Sequence, residues 1–332
     1  MLALNRGHRT VPSPYKTTVI DAGGRYGLHP SWKGFRGELD YYLFEPDQAE
    51  AGRLAQKYAC RANEVKVIAR ALGKSDGQLE IRFLRNRAMS GSVERKPISS
   101  LFKGERLEQV DVVEVLRVDA MAIDSFAKQS NIVVDFLKLD TEGTEYYILE
   151  GATKQLCSNV LGVRCEVAFD YLFHGCPLFG EVHSFLLDYG FHLLNLDYDG
   201  RGDNQNDFVR IPGRYGILTA TDAVWLRRPQ SVLSGLDFDI KALKYAAFCL
   251  CNSAPDVAID VLLQFRGISD FGDVRSSKLY HFVDIALQKH FYTLKWQPGQ
   301  TLRGCADTYF RIFGKRMKEI NEFMESSELN PD

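Results

Sequence analysis

Thr18-Val19-Ile20-Asp21-Ala22-Gly23-Gly24-Arg25-Tyr26-Gly27 is the stretch whose reading decides the fold. A short β-branched run ends on a carboxylate, and glycines at 23, 24 and 27 follow at once. The run reads as a buried strand, and the glycines let the backbone turn tightly and come close to a ligand. In open α/β sheets such a loop lies at the carboxyl end of its strand, where cofactors bind. Strand-then-glycines does not by itself say which cofactor.

Working outward, strand and helix patterns alternate. Residues 41–44 form a strand that stops at Glu45-Pro46, where a carboxylate can accept hydrogen bonds from both hydroxyls of a ribose. A helix over 47–59, a third strand over 65–72 ending at Ala71-Leu72-Gly73, and strands over 79–84 and 112–118 follow. Asp119 or Ala120 is expected to start a helix over 121–129. Residues 131–140 read as a strand leading into the acidic turn Thr141-Glu142-Gly143-Thr144-Glu145 and a helix. A strand over 161–169 carries Glu166, and a helix over 179–189 is closed by Gly190. Strands over 191–198 and 217–227, joined by a polar loop, complete the pattern. The fold class is therefore α/β, a mostly parallel Rossmann-like sheet covered on both faces, with an antiparallel last strand. Residues 229–235 read as a linker, and helical spacing without strands continues over 239–251, 255–265, 276–295 and 301–325. This predicts a domain over 1–229 and a separate all-α C-terminal extension over 230–332.

Composition narrows the classes. With 332 residues, 45% hydrophobic and 25% charged, the chain can bury a large core, and its net charge of -2 does not suggest nucleic acid or an anionic membrane. Arg6, His8, Arg9 and Lys16 make a small basic arm, read as solvated. The cysteines are odd in number (7) with no C-x-x-C pair, and no leader is read before the first strand, so a reduced, cytoplasmic protein without structural zinc is expected. The most apolar window, 243–263, is broken by Lys244, Asn252, Pro255, Asp256 and Asp260, which excludes a membrane span there. The helix face Tyr309-Phe310-Arg311-Ile312-Phe313 suits packing or a homo-oligomer contact.

The dinucleotide template G-x-G-x-x-G laid on 22–27 finds Ala22, Gly24 and Gly27, an incomplete match. The spacing D-x-G-x-x-x-G, from Asp21 through Gly23 to Gly27, is instead similar to the first motif of class I S-adenosylmethionine-dependent methyltransferases. Leu137-Lys138-Leu139-Asp140-Thr141-Glu142-Gly143-Thr144-Glu145, with Leu149-Glu150-Gly151-Ala152, resembles the signature of the FkbM-type methyltransferases. Phe44-Glu45-Pro46, Ala71-Leu72-Gly73 with Gly77, and Glu166 fit the order of that family's other pieces, over roughly 19–228. Arg25 stands where the family commonly has asparagine, and 28–35 is unusually rich in Pro, Trp and Phe.

The resemblance implies S-adenosylmethionine as methyl donor and a glycan, glycoconjugate or natural-product hydroxyl as acceptor. It implies that Asp21, Gly23, Gly24 and Gly27 shape the methionine end of the cofactor pocket, with Asp140 beside it. Glu45 would hold the ribose, and Ala71 and Leu72 would lie near the adenine. Methyl transfer needs alignment, exclusion of water and, for a hydroxyl, a proton acceptor. Asp140, Glu142, Glu166 and His174 are the candidates for that work. Each has a plainer reading: Glu142 and Glu145 as acids favouring a helix N-terminus, Glu166 as a carboxylate paired to Arg164 or Lys138, His174 as a loop histidine. Asp140, Glu142 and Glu166 could also hold a divalent cation, but without fixed spacing no metal is expected. The loop from Asp197 fails the EF-hand pattern at Arg201 and Phe208, although Arg201, Arg210 and Arg214 would suit an anionic acceptor. A nicotinamide-dependent oxidoreductase and a non-catalytic cofactor-fold module are the alternative readings.

Overall fold

The computed structural model describes residues 15–35, 37–96, 108–197, 202–203, 217–232, 238–266 and 275–293. The expectations placed on Arg6, His8 and Arg9, on Arg201, Arg210 and Arg214, and on 301–325 lie outside the described residues.

The opening strand β1 (Thr17–Ala22) is the third strand of a 7-stranded sheet. Beside it lie β2 (Leu39–Phe44), then β3 (Val65–Ile68), with β7 (Phe136–Leu139), β8 (Gly162–Ala168), β12 (Ala220–Arg227) and β9 (Phe191–Asp197) on the other side. The order is β3-β2-β1-β7-β8-β12-β9; β3 through β8 run parallel, and β12 is antiparallel to both its neighbours. This is the mixed α/β, class I methyltransferase-like sheet expected from the sequence. The order reverses beside β1, so the crevice at the ends of β1 and β7 is the position where such sheets bind ligands.

Successive residues feed opposite faces, as the two-residue period requires. Ile20, Tyr42, Phe44, Leu137, Leu139, Val163, Cys165 and Trp225 pack against α2 (Ile123–Ser130), α3 (Glu145–Glu150), α4 (Thr153–Ser158) and α5 (Phe179–Asp188). Val19, Tyr41, Leu43, Phe136, Val224 and Leu226 pack against the 3₁₀ turn Pro30–Phe35. The same cluster includes residues of α7 (Phe238–Cys251), α8 (Pro255–Arg266) and α9 (Lys278–Thr293), reached through the short α6 (Pro229–Val232). Among the described residues, α7, α8 and α9 therefore share one core with the sheet. Phe248 stacks on Phe136 at 4.5 Å, and a Cβ on Gly162 would stand 2.7 Å from the Phe248 ring, so glycine there admits α7 to the sheet. Buried polar ties lock the arrangement: Lys244 Nζ to Asp135 Oδ2 at 2.8 Å, and the Glu38 carboxylate accepting from Lys278 N and Leu279 N at 3.1 and 2.7 Å. Among the described residues no helix is long and apolar enough to cross a membrane.

Smaller differences have local causes. The third strand divides: after β3 the chain leaves the sheet, and β4 (Ala71–Leu72) joins β5 (Gly77–Leu84) and β6 (Val112–Met121) in a small second sheet. Pairing with β5 carries β6 through Asp119 and Ala120, so neither starts the helix; Ala122 precedes α2, its N–H donating to Asp76 Oδ1 at 2.9 Å. Residues 132–134 are not strand, because Asn131 adopts a left-handed cap (φ 49) and Ile132 N turns back to Ala127 O. Helix α1 (Gln48–Lys57) is capped as its composition requires, with Asp47 Oδ1 accepting from Ala49 N and Glu50 N at 3.1 and 3.3 Å.

Candidate active site

The glycine loop is pinned where β1 meets β7. Gly23 has φ +80, and a Cβ there would fall 1.7 Å from the Asp140 carbonyl oxygen, so only glycine lets the two strand ends approach. Gly27 (φ +88) leaves room for the Tyr58 hydroxyl, which accepts from Leu28 N at 2.8 Å. Asp21 is not at the surface of this loop. Fully buried, it accepts a hydrogen bond from Tyr41 Oη and pairs with Lys138 Nζ at 3.3 Å. Burial pushes its carboxyl pKa up, while Lys138 and Tyr41 pull it down. Lys138 also stands 3.3 Å from Asp140 Oδ2. Its burial acts to lower its pKa, but Asp21 and Asp140 outweigh that and hold it raised, as a buried cation between two carboxylates. Asp21 thus reaches the surface only through Lys138 and Asp140.

A first cleft runs from Gly23 and Asp140 past Glu45 to Ala71 and Leu72, bringing together five of the residues expected around a cofactor. Gly24 and Gly27 face a different chamber, and Asp21 lines neither. Glu45 is buried, and burial raises its pKa to about 7, opposed by the Asp47 N–H at 3.0 Å and by Arg25. Arg25, the departure from the family loop, pairs with Asp47 at 2.6 Å and lines this cleft. Leu79, Ile81 and Phe83 of β5 add an apolar wall, and Ala88, Ser90, Gly91 and Ser92 line the cleft as well. Free space is about 70 Å³, against roughly 300–1,000 Å³ for ordinary ligand pockets.

A second cleft, of about 440 Å³, shares Asp140 and Glu142 with the first and adds Glu166, Arg95, Tyr146 and Phe173. The carboxylate oxygens of Asp140, Glu142 and Glu166 lie within 4.8 Å of one another, a spacing that could hold a metal ion. Glu142 takes φ 60 and pairs with Arg95, which lies 4.7 Å over the Phe173 ring. Glu145 is buried and ties the turn, accepting from Thr141 N at 2.6 Å and Gly143 N at 3.1 Å. That is its structural reading. Arg164 is bonded to Asp222, Asp197 and Asn252, and Lys138 to Asp21 and Asp140. His174 is exposed and lines neither cleft, so it is not gathered with the carboxylates.

Residues 29–193 match the model of the methyltransferase FkbM domain. This segment is an FkbM methyltransferase domain. The FkbM domain so matched spans the β2 carboxylate, the acidic turn and β8. Among solved structures, the chain resembles a methyltransferase FkbM from Methylobacillus flagellatus KT at 14% identity and TM-score 0.38, over 64% of this chain and 44% of that one. It thus spans under half the length of that relative. Streptococcus pneumoniae Sp1610, a putative tRNA methyltransferase, follows at 11% identity and TM-score 0.32, covering 82% and 93% of the two chains. M. capricolum TrmK, in complex with S-adenosyl-homocysteine, gives 9% and 0.29 over 83% and 91%. Likenesses this distant carry no argument about the acceptor. No curated protein matches the sequence.

The lining from Ala88 to Ser92 and the charged partners went unread in the sequence. Arg25, Arg95 and Lys138 carried no signal of their roles beyond Lys138 standing in the family motif. Ser90-Gly91-Ser92 lie in a polar stretch without strand or helix pattern.

Proposed function

We propose that this protein transfers a methyl group from S-adenosylmethionine to a hydroxyl of a small-molecule or glycan acceptor. The observation that carries the reading is the meeting of two clefts at Asp140 and Glu142: one with cofactor-like chemistry, the other lined by carboxylates. The first cleft suits the donor's parts. Gly23 presents backbone without a side chain, Glu45 offers two acceptor oxygens for a ribose, Leu72 and Ile81 offer apolar surface for an adenine, and Asp140 is an anion for a cationic end.

The bound donor supplies an electrophilic methyl group on a sulfonium, displaced in line with loss of charge. The chain's part is to align the acceptor oxygen, exclude water and take the hydroxyl proton. Glu142 and Glu166 are the proton-acceptor candidates, since both face the second cleft beside Asp140. Arg95 fixes Glu142. His174, exposed and outside both clefts, stands apart from them. No step needs a cation, although the three carboxylates could hold one.

Labelled S-adenosylmethionine incubated with the protein and extract of its source cell tests this. Label in an alkali-stable ether supports O-methylation. Label in an amine or in RNA refutes the hydroxyl acceptor, and no label at all refutes the transferase reading.

A further inference from the structure

Behind the glycine loop lies a chamber of about 710 Å³, larger than either cleft. Its walls come from three parts of the chain: the loop from Gly23 to Ser31, the sheet residues Lys138, Arg164, Asn195 and Asp222, and the Cys251–Ser253 turn between α7 and α8. Tyr26, Ala88 and Asp140 line both this chamber and the second cleft, so one ligand can reach both. Tyr26 is 79% exposed and stands at the junction.

The lining is polar but its charges are internally matched. Lys138 is held between Asp21 and Asp140 at 3.3 Å each. Arg164 binds Asp222 at 3.0 Å and Asn252 Oδ1 at 3.2 Å, and also pairs with Asp197. Arg25 is engaged by Asp47 at 2.6 Å. An incoming anion would meet cations already neutralised and carboxylates beside them. His29 is a neutral imidazole at pH 7, since burial, Arg164 and Lys138 lower its pKa to about 4. Asn195 Nδ2 donates to Asn252 O at 3.1 Å, while its Oδ1 is buried with no hydrogen-bond partner among the described residues. Such a wall suits a ligand with many hydrogen-bonding groups and no net charge.

We propose that this chamber is a second acceptor subsite: it takes an uncharged, hydroxyl- or amide-bearing unit adjoining the unit that is methylated, and the α7–α8 turn supplies its selective wall. This rests on the methyltransferase reading and adds to it that the acceptor is extended. Asn252 and Ser253, in the α7–α8 turn, lie beyond the 29–193 segment that matches the family, so this part of the wall comes from outside the matched domain. It also gives the C-terminal helices a part in substrate choice. Phosphorylated or carboxylated units are disfavoured, contrary to the anionic acceptor that the loop arginines suggested.

Ser253→Trp, at an exposed turn position, fills the chamber, and Asn195→Leu removes its unpaired oxygen. Both are compared with the wild-type chain in thermal melting, calorimetry with S-adenosylhomocysteine, and labelled methyl transfer titrated with fractionated extract. Ser253 has φ 59, so tryptophan there is strained and should lower the melting temperature by a few degrees, while both variants stay folded and bind S-adenosylhomocysteine within about two-fold of wild type. The acceptor amount for half-maximal transfer should rise tenfold or more for Ser253→Trp, and less for Asn195→Leu, with half-saturation by S-adenosylmethionine unchanged. Folded variants that transfer like an active wild type overturn the subsite alone. Folded variants that lose S-adenosylhomocysteine binding assign the chamber to the cofactor and also overturn it. A wild type that binds the cofactor product yet transfers nothing overturns the methyltransferase reading and the subsite with it.

Discussion

Glu45→Gln should make the protein more stable and its cofactor site worse, and the size of both effects follows from one buried carboxyl. Burial moves its pKa from 4.5 to about 7. At about 1.4 kcal/mol per unit, the ionised side chain then costs the folded state on the order of 3 kcal/mol above pH 7, taken as an upper bound. The sign follows from linkage. Below pH 4.5 both states carry the proton and the cost is absent; it grows as the unfolded chain ionises, and is complete above pH 7. Glutamine keeps an oxygen for the Asp47 N–H and has no charge to desolvate. The variant should therefore melt like wild type near pH 4.5 and clearly higher at pH 8. Calorimetry should show the opposite trend for the ligand. Losing charge-assisted bonds to a ribose, worth about 1.5–3 kcal/mol, weakens S-adenosylhomocysteine about ten- to a hundredfold at pH 8. Wild-type affinity should likewise fall as pH drops below 7. Parallel melting curves for the two proteins across pH 4.5–8, or unchanged affinity, would refute this account of Glu45.

Three further changes probe separate links. Gly23→Ala places a Cβ against the Asp140 carbonyl and should remove cofactor binding while destabilising by more than about 1–3 kcal/mol in urea unfolding; a wild-type midpoint would contradict the close approach. Phe248→Ala empties the space stacked on Phe136 and should cost about 3–5 kcal/mol. Because the C-terminal helices share the sheet's core, that loss should appear as one lowered transition, and a separate early transition would show an independent helical unit. Glu142→Gln or Glu166→Gln should lower the rate of methyl transfer a hundredfold or more, within the range for lost general-base catalysis, with cofactor affinity retained. Full activity in both variants would remove these carboxylates from the proton path.

The sheet was legible because its strands are buried on both faces and their ends are punctuated by Gly23, Pro46 and the acidic turn. Glu45, Asp140 and Leu72 could be placed together for the same reason: parallel strands deliver their carboxyl ends to one edge. The sequence gives less help with contacts between distant segments. Asp21 was expected to shape the methionine end of the pocket, and only its register beside Lys138 shows that its carboxylate faces inward. The run Ala242–Leu250, apolar nearly all round, marked a buried helix, but periodicity does not say which sheet face buries it. Residues 88–92 carry no apolar pattern, so nothing local placed them beside the first cleft. His174 had the right chemistry and a nearby position in the chain, yet the turn at Gly175 leaves it in solvent.

Titration calorimetry of the full chain with S-adenosylhomocysteine, and separately with NAD, tests the central claim most directly. One molecule of S-adenosylhomocysteine should bind per chain, with affinity reduced by Glu45→Gln, and NAD should give no heat of binding. Saturable binding of NAD with no response to S-adenosylhomocysteine would contradict the assignment of this cleft.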